Sequence, residues 1–226
     1  MTEAEWLACL SPAAMFDFLR TRKFNRARNG RRRLRLVGCA CIHRVHQFLT
    51  KRGRNWLAVA ESIADGSSDA RRVQKARAAD FGPCDGQRTD HQADIAAWFA
   101  LAENIMIACE AAAGSAVNTI QIDAWHRTND QTAAKAGEQK AQAPIVRDVF
   151  GTLPFHPVTF DPRWQTADAL GVAQAIYDDR AFERLPILAD ALMDAGCDSD
   201  DILAHCRSDG PHVRGCWVVD LVLGKE

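Results

Sequence analysis

Apolar side chains in this chain recur at intervals of three and four residues, and no stretch keeps up a strict alternation of apolar and polar residues. That spacing lines one face of an α-helix and leaves no room for the alternating pattern of a half-buried strand. Leu34, Val37, Cys41, Val45 and Phe48 make one such face over residues 31–50. Trp56, Val59, Ala60 and Ile63 make another, stopped at Gly66. The strongest series starts at a cap on Asp90, runs through Ile95, Trp98, Phe99, Ala102, Ile105, Met106 and Cys109, and is interrupted at Gly114. It predicts one long buried helix over 90–113.

Punctuation agrees with the period. Thr2-x-x-Glu5 reads as a capping box, Ser11-Pro12 as a cap followed by proline at the first helical position, and Asn29-Gly30 as a turn. Ser68 caps a helix through about Ala79, and residues 81–89, with Gly82-Pro83 and Asp85-Gly86, read as a loop. Residues 115–142 are expected to be helical with a solvated distal half. Thr166 caps a helix through Tyr177, Pro186 and Gly196 bracket another, and Asp198 or Ser199 opens a short one to Arg207. The segment Cys216 to Leu223 is apolar enough for either a helix or a buried strand. The helices before it and the stop at Gly224 favour a helix. The expectation is an all-α, compact multi-helix domain of about nine helices built around 90–113. Pro144 separates a subregion 1–143, carrying a basic segment at 20–54, from a subregion 144–226, the two sharing one core.

The formal net charge of −1 hides a division: residues 1–60 balance to +10 and residues 61–226 to −11. Nine Lys or Arg stand in positions 20–35 with no acid among them. Two functions fit such a run. Arg28, Arg31, Arg32, Arg33 and Arg35 can neutralise the phosphates of a nucleic acid. Alternatively, the segment folds against the acidic remainder of the same chain, which the near-cancellation of the two halves favours; nucleic-acid binding is then weak.

The eight cysteines include no Cys-x-x-Cys pair, and the N-terminus has no apolar signal-like stretch. The most apolar run, Ile95 to Ala113, is interrupted by Glu103, Asn104 and Glu110 and reads as a buried helix rather than a membrane span. Together these predict a cytoplasmic protein with reduced thiols and no membrane association. Cys39, His43 and His46 share a helical stripe opposite the apolar face and are candidate metal ligands, though spacing supplies no fourth; the preferred alternative is that Cys39 packs against a neighbouring helix and the histidines sit at the surface. His205, Cys206, His212 and Cys216 cluster near Cys197 without finger spacing; a metal site is one reading, and core packing is the preferred one. His212, Arg214 and Trp217, after the turn at Gly210-Pro211, are a candidate surface pocket, the preferred alternative being a packed Trp217 with satisfied polar neighbours. Asp198-Ser199-Asp200-Asp201 fails the calcium-loop pattern, because Ile202 occupies a ligand position. No P-loop, Gly-x-Ser-x-Gly, dinucleotide or His-Glu-x-x-His motif is present. No catalytic residue is assigned, and no stoichiometric metal or other cofactor is expected.

Three stretches carry a resemblance. The chain opens with Met1-Thr2-Glu3-Ala4-Glu5-Trp6-Leu7, with Met15-Phe16-Asp17-Phe18-Leu19-Arg20 and Leu34-Arg35-Leu36 before Cys39-Ala40-Cys41. Val146-Arg147-Asp148-Val149-Phe150-Gly151 stands in the middle, and the chain closes with His212-Val213-Arg214-Gly215-Cys216-Trp217-Val218-Val219-Asp220-Leu221-Val222-Leu223-Gly224-Lys225. This wording resembles a large paralogous family of uncharacterised planctomycete proteins. The resemblance implies a family and brings no activity with it. From the residues, the first expectation is a non-catalytic helical interaction or regulatory module with an unknown protein partner. The alternative is a nucleic-acid-binding protein using residues 20–54, followed by a metal- or thiol-dependent enzyme built on one of the Cys/His groups.

Overall fold

The computed structural model describes residues 1–67, 69–79, 88–128 and 130–225. Among them are twelve α-helices and no strand, so the chain is all-α. The helices are α1 Glu3–Ala8, α2 Pro12–Thr21, α3 Arg28–His43, α4 Lys51–Ala64, α5 Ala70–Arg77, α6 Thr89–Phe99, α7 Ile105–Arg127, α8 Gln131–Phe150, α9 Ala167–Asp179, α10 Leu185–Asp194, α11 Asp200–Cys206 and α12 Trp217–Val222. The chain divides into two compact units, Met1–Val146 and Arg147–Glu226. The expected cap at Ser68, and most of the expected loop at 81–89, lie outside the described residues.

In the first unit α3 and α6 both pack on α7, and α4 packs on α3 and α6. Every residue of α3 from Arg33 to Ile42 is buried. Cys39 is therefore a core residue, which agrees with its packing alternative and not with a ligand stripe opposite the core. That helix also ends at His43 rather than near residue 50. The buried Asp94 accepts hydrogen bonds from the Thr50 backbone N–H at 3.0 Å and the Thr50 hydroxyl at 2.6 Å. Thr50 in turn caps α4.

The long helix expected over 90–113 is two helices. α6 stops at Phe99, and Asn104 starts α7 by accepting from the Met106 and Ile107 amides. Gly114 lies inside α7. Two arginines explain the break. Arg35 donates to the carbonyl oxygens of Ala100 and Ala102, and Arg77 Nε donates to that of Leu101 at 2.8 Å. These guanidinium groups satisfy the backbone carbonyls of residues 100–102, in the link between the two helices. The buried residues of α6 are Ala93, Asp94, Ala96 and Ala97, while Trp98 is half-buried. Small side chains at the buried positions suit close helix packing, and the larger ring stays partly exposed. Replacing Arg35 by leucine is expected to cost about 2–3 kcal/mol, because it leaves buried carbonyls unpaired. A lowered urea midpoint, with faster amide exchange at 100–104, would register it.

Pro144 does not end a helix. It lies within α8, and the carbonyl it orphans belongs to Lys140, an exposed residue. The second unit begins in the last turn of α8. Its core comprises Ala169, Ala173, Ile176 and Tyr177 of α9, Leu185, Leu188, Ala189 and Leu192 of α10, Ile202 and Cys206 of α11, and Trp217, Val218, Val219 and Val222 of α12. Thr166 caps α9, Pro186 sits in the first turn of α10, and Gly196 follows α10 with φ +87°. Residues 217–222 are helix, which resolves the ambiguity left by composition.

Candidate metal centre

α8 ends in a left-handed residue, Gly151 at φ +55°, whose N–H returns to the Arg147 carbonyl at 2.7 Å. That termination leaves Asp148 in the last turn of α8. From the other end of the unit, α11 supplies His205, the turn that follows supplies His212, and Cys216 stands immediately before α12. Among the described residues, these four are the set whose metal-binding atoms converge. One donor atom from each lies within 4.8 Å of the others.

Asp148 is the hub. Its Oδ1 is 2.7 Å from His212 Nδ1 and 3.1 Å from His205 Nε2, and its Oδ2 accepts the Val213 N–H at 2.9 Å. His205 Nε2 is also 3.2 Å from Cys216 Sγ. The two imidazoles meet edge to face at 4.9 Å, and His205 lies 5.2 Å from the Trp217 ring. Asp148 and Cys216 are buried, and the side chain of His212 is only 8% exposed.

The protonation of the cluster follows from its partners. Burial pushes the Asp148 carboxyl upward, but hydrogen bonds from His205 and His212 outweigh it and leave the pKa below the usual carboxylate value. Burial pulls the His212 imidazolium down, but the Asp148 carboxylate and the Ser208 carbonyl outweigh that and hold its pKa above the ordinary histidine value. His212 Nε2 faces the Ser208 carbonyl at 3.2 Å while Nδ1 faces Asp148. Both ring nitrogens thus meet acceptors. Either the ring carries two protons or a cation replaces the proton between Nδ1 and the carboxylate. Burial, and then the Asp148 charge, raise the Cys216 thiol well above its normal range.

This arrangement does not suit a nucleophilic triad. A triad uses one imidazole nitrogen toward the thiol and the other toward the carboxylate. Here a single nitrogen, His205 Nε2, faces both Cys216 and Asp148, and the thiol is fully buried with its thiolate disfavoured. Convergence of one atom from each of four residues is instead a coordination pattern. Tetrahedral zinc with nitrogen, oxygen and sulfur ligands sets donor–donor separations of roughly 3.3–3.6 Å. The hydrogen-bonded contacts of 2.7, 3.1 and 3.2 Å lie below that range, and the set as a whole closes only to within 4.8 Å, so binding an ion requires the four side chains to adjust.

The remaining candidate residues are placed as follows. His43 Nε2 pairs with Glu61 Oε1 at 2.8 Å and its ring stacks on His46 at 5.8 Å; Cys39, His43 and His46 do not form a converging donor set. Cys206 is buried, with its thiol pushed up to about 12 by burial and by Cys197 and Asp148. His212, Arg214 and Trp217 form no surface pocket of the expected kind. His212 is bound to Asp148, Trp217 is buried, and Arg214 lies over the Tyr177 ring at 4.4 Å. Of the five arginines proposed for phosphate contact, Arg28 and Arg31 are exposed, and Arg32 reaches Asp65 at 3.5 Å. Arg33 and Arg35 are buried and cannot serve. Asp148 was missed in the sequence because it stands far from the Cys/His group and lies in an ordinary helical stretch. Comparison with protein-family models, with curated proteins and with solved structures gave no match in any of the three.

Proposed function

We propose that this protein is a non-catalytic helical interaction module whose C-terminal unit is held by one structural metal ion of the zinc type, bound by Asp148, His205, His212 and Cys216. The observation that carries the reading is the convergence of those four donors about the buried Asp148 and Cys216, with His205 and His212 partly exposed. Two imidazoles, one carboxylate and one thiolate form a donor set suited to a borderline-soft divalent ion. Four protein ligands fill a tetrahedral shell, which leaves no open position for water or substrate and makes the site structural rather than catalytic. Charge supports it as well: a carboxylate, a thiolate and two neutral imidazoles sum to zero with a divalent ion, so the buried site carries no net charge. The ion would join the end of α8, α11, the 208–216 turn and the start of α12. A unit of this size gains from such a staple. A reducing, cytoplasmic setting, where Cys216 stays available as a ligand, fits the chemistry.

The test is elemental analysis of protein purified without chelator. One equivalent of zinc per chain is expected. Cobalt exchange should add a near-ultraviolet band from thiolate-to-metal charge transfer, absent in Cys216→Ser. Protein that retains no metal and takes up neither zinc nor cobalt when titrated would reduce the cluster to a hydrogen-bonded polar core.

A further inference from the structure

We infer that the turn joining α2 to α3 is a docking face for the phosphate backbone of nucleic acid, formed by Arg22, Lys23, Arg26, Arg28 and Arg31. No carboxylate occurs between Phe18 and Ala60. The fold uses much of the positive charge in that stretch internally. Arg20 pairs with Asp17 and Glu110, Arg32 with Asp65, Arg44 with Glu138 at 2.8 Å, and Arg52 with Asp94 at 3.8 Å, while Arg35 caps carbonyls. The internal pairing expected for the whole basic segment is thus realised for these residues. It is not realised for the five in the turn, all of which are exposed and have no carboxylate within ion-pair distance among the described residues.

The turn is ordered. Lys23 adopts a left-handed conformation at φ +63° and its N–H reaches the Arg20 carbonyl at 3.0 Å. The Phe24 and Arg26 amides bond to the carbonyls of Leu19 and Lys23 at 3.2 and 3.0 Å, and the Arg31 amide to that of Ala27 at 3.0 Å. The loop lies so close on the first turn of α3 that a Cβ on Gly30 would stand 2.0 Å from the Phe24 carbonyl oxygen. Five cations are therefore held in one compact surface element rather than on a loose arm. α3 starts with Arg28 and no acid in its first turn, and Arg31 follows three residues later. Cations there oppose the helix dipole, and like charges at that spacing repel. Arg22 lies over the Phe18 ring at 5.4 Å, but no carboxylate neutralises the element, and an ordered element that keeps such unfavourable charge is poised for an external anion.

The chemistry favours phosphate on a nucleic acid over a bilayer. Four of the five cations are arginines, whose planar forks match phosphate oxygens. A membrane-surface site would add exposed apolar anchors. The one large apolar side chain within 22–31 is Phe24, and it is half-buried. This inference is independent of the metal reading, which concerns residues of the other unit.

The test uses fluorescence anisotropy with a labelled mixed-sequence DNA duplex of about 20 base pairs, and a single-stranded RNA of similar length, between about 50 and about 200 mM salt. Five phosphate contacts predict a slope of log affinity against log salt of about −4.5 on the duplex and about −3.5 on the single strand, which is about a 500-fold loss on the duplex over that range. The triple variant Arg26→Gln, Arg28→Gln, Arg31→Gln should reduce the duplex slope to about −1.8. The control Lys135→Gln, Lys140→Gln, on exposed residues of α8, should leave it unchanged. Without nucleic acid, the triple variant should unfold at the same or a higher urea concentration than the parent, because it removes unpaired like charges. A shallow slope, equal weakening by the control variant, or a destabilised triple variant would overturn the proposal. So would stronger binding to phosphatidylserine vesicles than to either nucleic acid.

Discussion

Trp217→Ala is expected to destabilise the C-terminal unit by about 3–5 kcal/mol, the range for removing a buried tryptophan. The ring is 5% exposed and packs in the core of that unit beside His205. Its other neighbour is the backbone. A Cβ built on Gly151 would lie 2.6–2.7 Å from three ring carbons of Trp217. The left-handed turn that ends α8 is thus also the floor beneath the indole, and Gly151 satisfies two demands, positive φ and lack of a side chain. Gly151→Ala should therefore cost about 2–4 kcal/mol, combining left-handed strain with overpacking. The double variant separates the two terms. With the indole removed, the new methyl group has space, so the pair should cost clearly less than the sum of the single changes. Urea midpoints supply the energies, and amide exchange over residues 147–225 localises the loss. Additive costs would show that the ring and the glycine do not press on one another.

The all-α class was legible in the sequence because it rests on local rules. Thr2, Ser11 and Thr166 cap where the motifs place them, and Gly66 and Gly196 follow helices with positive φ. Positions decided by distant partners were not legible. The split between α6 and α7 depends on Arg35 and Arg77, which satisfy carbonyls at the end of a helix well removed in sequence. Periodicity records which side chains are apolar, not which carbonyls a guanidinium will claim. The same limit applies to burial on α6, where Ala93, Ala96 and Ala97 are buried and Trp98 is only half-buried, because close helix approach rewards small residues over large ones. At the candidate metal centre, His205, His212 and Cys216 stood out by proximity in the chain. Asp148 could not, since it joins them only through the termination of α8 at Gly151. Without finger spacing among His205, Cys206, His212 and Cys216, the sequence pointed to packing.

Asp148→Ala is expected to be the most disruptive single change at the centre, costing about 3–5 kcal/mol from the broken buried ion pairs alone. The substitution strands His212, whose two nitrogens face Asp148 and Ser208, and leaves the Val213 N–H without its 2.9 Å acceptor. If an ion is bound, its contribution is lost as well. For a site saturated at about 1000 times its dissociation constant that contribution is about 4 kcal/mol. Comparison with Cys216→Ser distinguishes the two states of the centre. In a metal-free cluster the serine hydroxyl still hydrogen-bonds to His205, and the change should be mild beside Asp148→Ala. In a metal-bound centre either substitution releases the ion, so Cys216→Ser should approach the cost of Asp148→Ala, and the double variant should add little to the worse single one. A strong chelator should then lower the urea midpoint of the parent protein while leaving both single variants unmoved. A chelator-insensitive parent, together with a mild Cys216→Ser, would mean that protons rather than a metal ion neutralise the buried charge of Asp148.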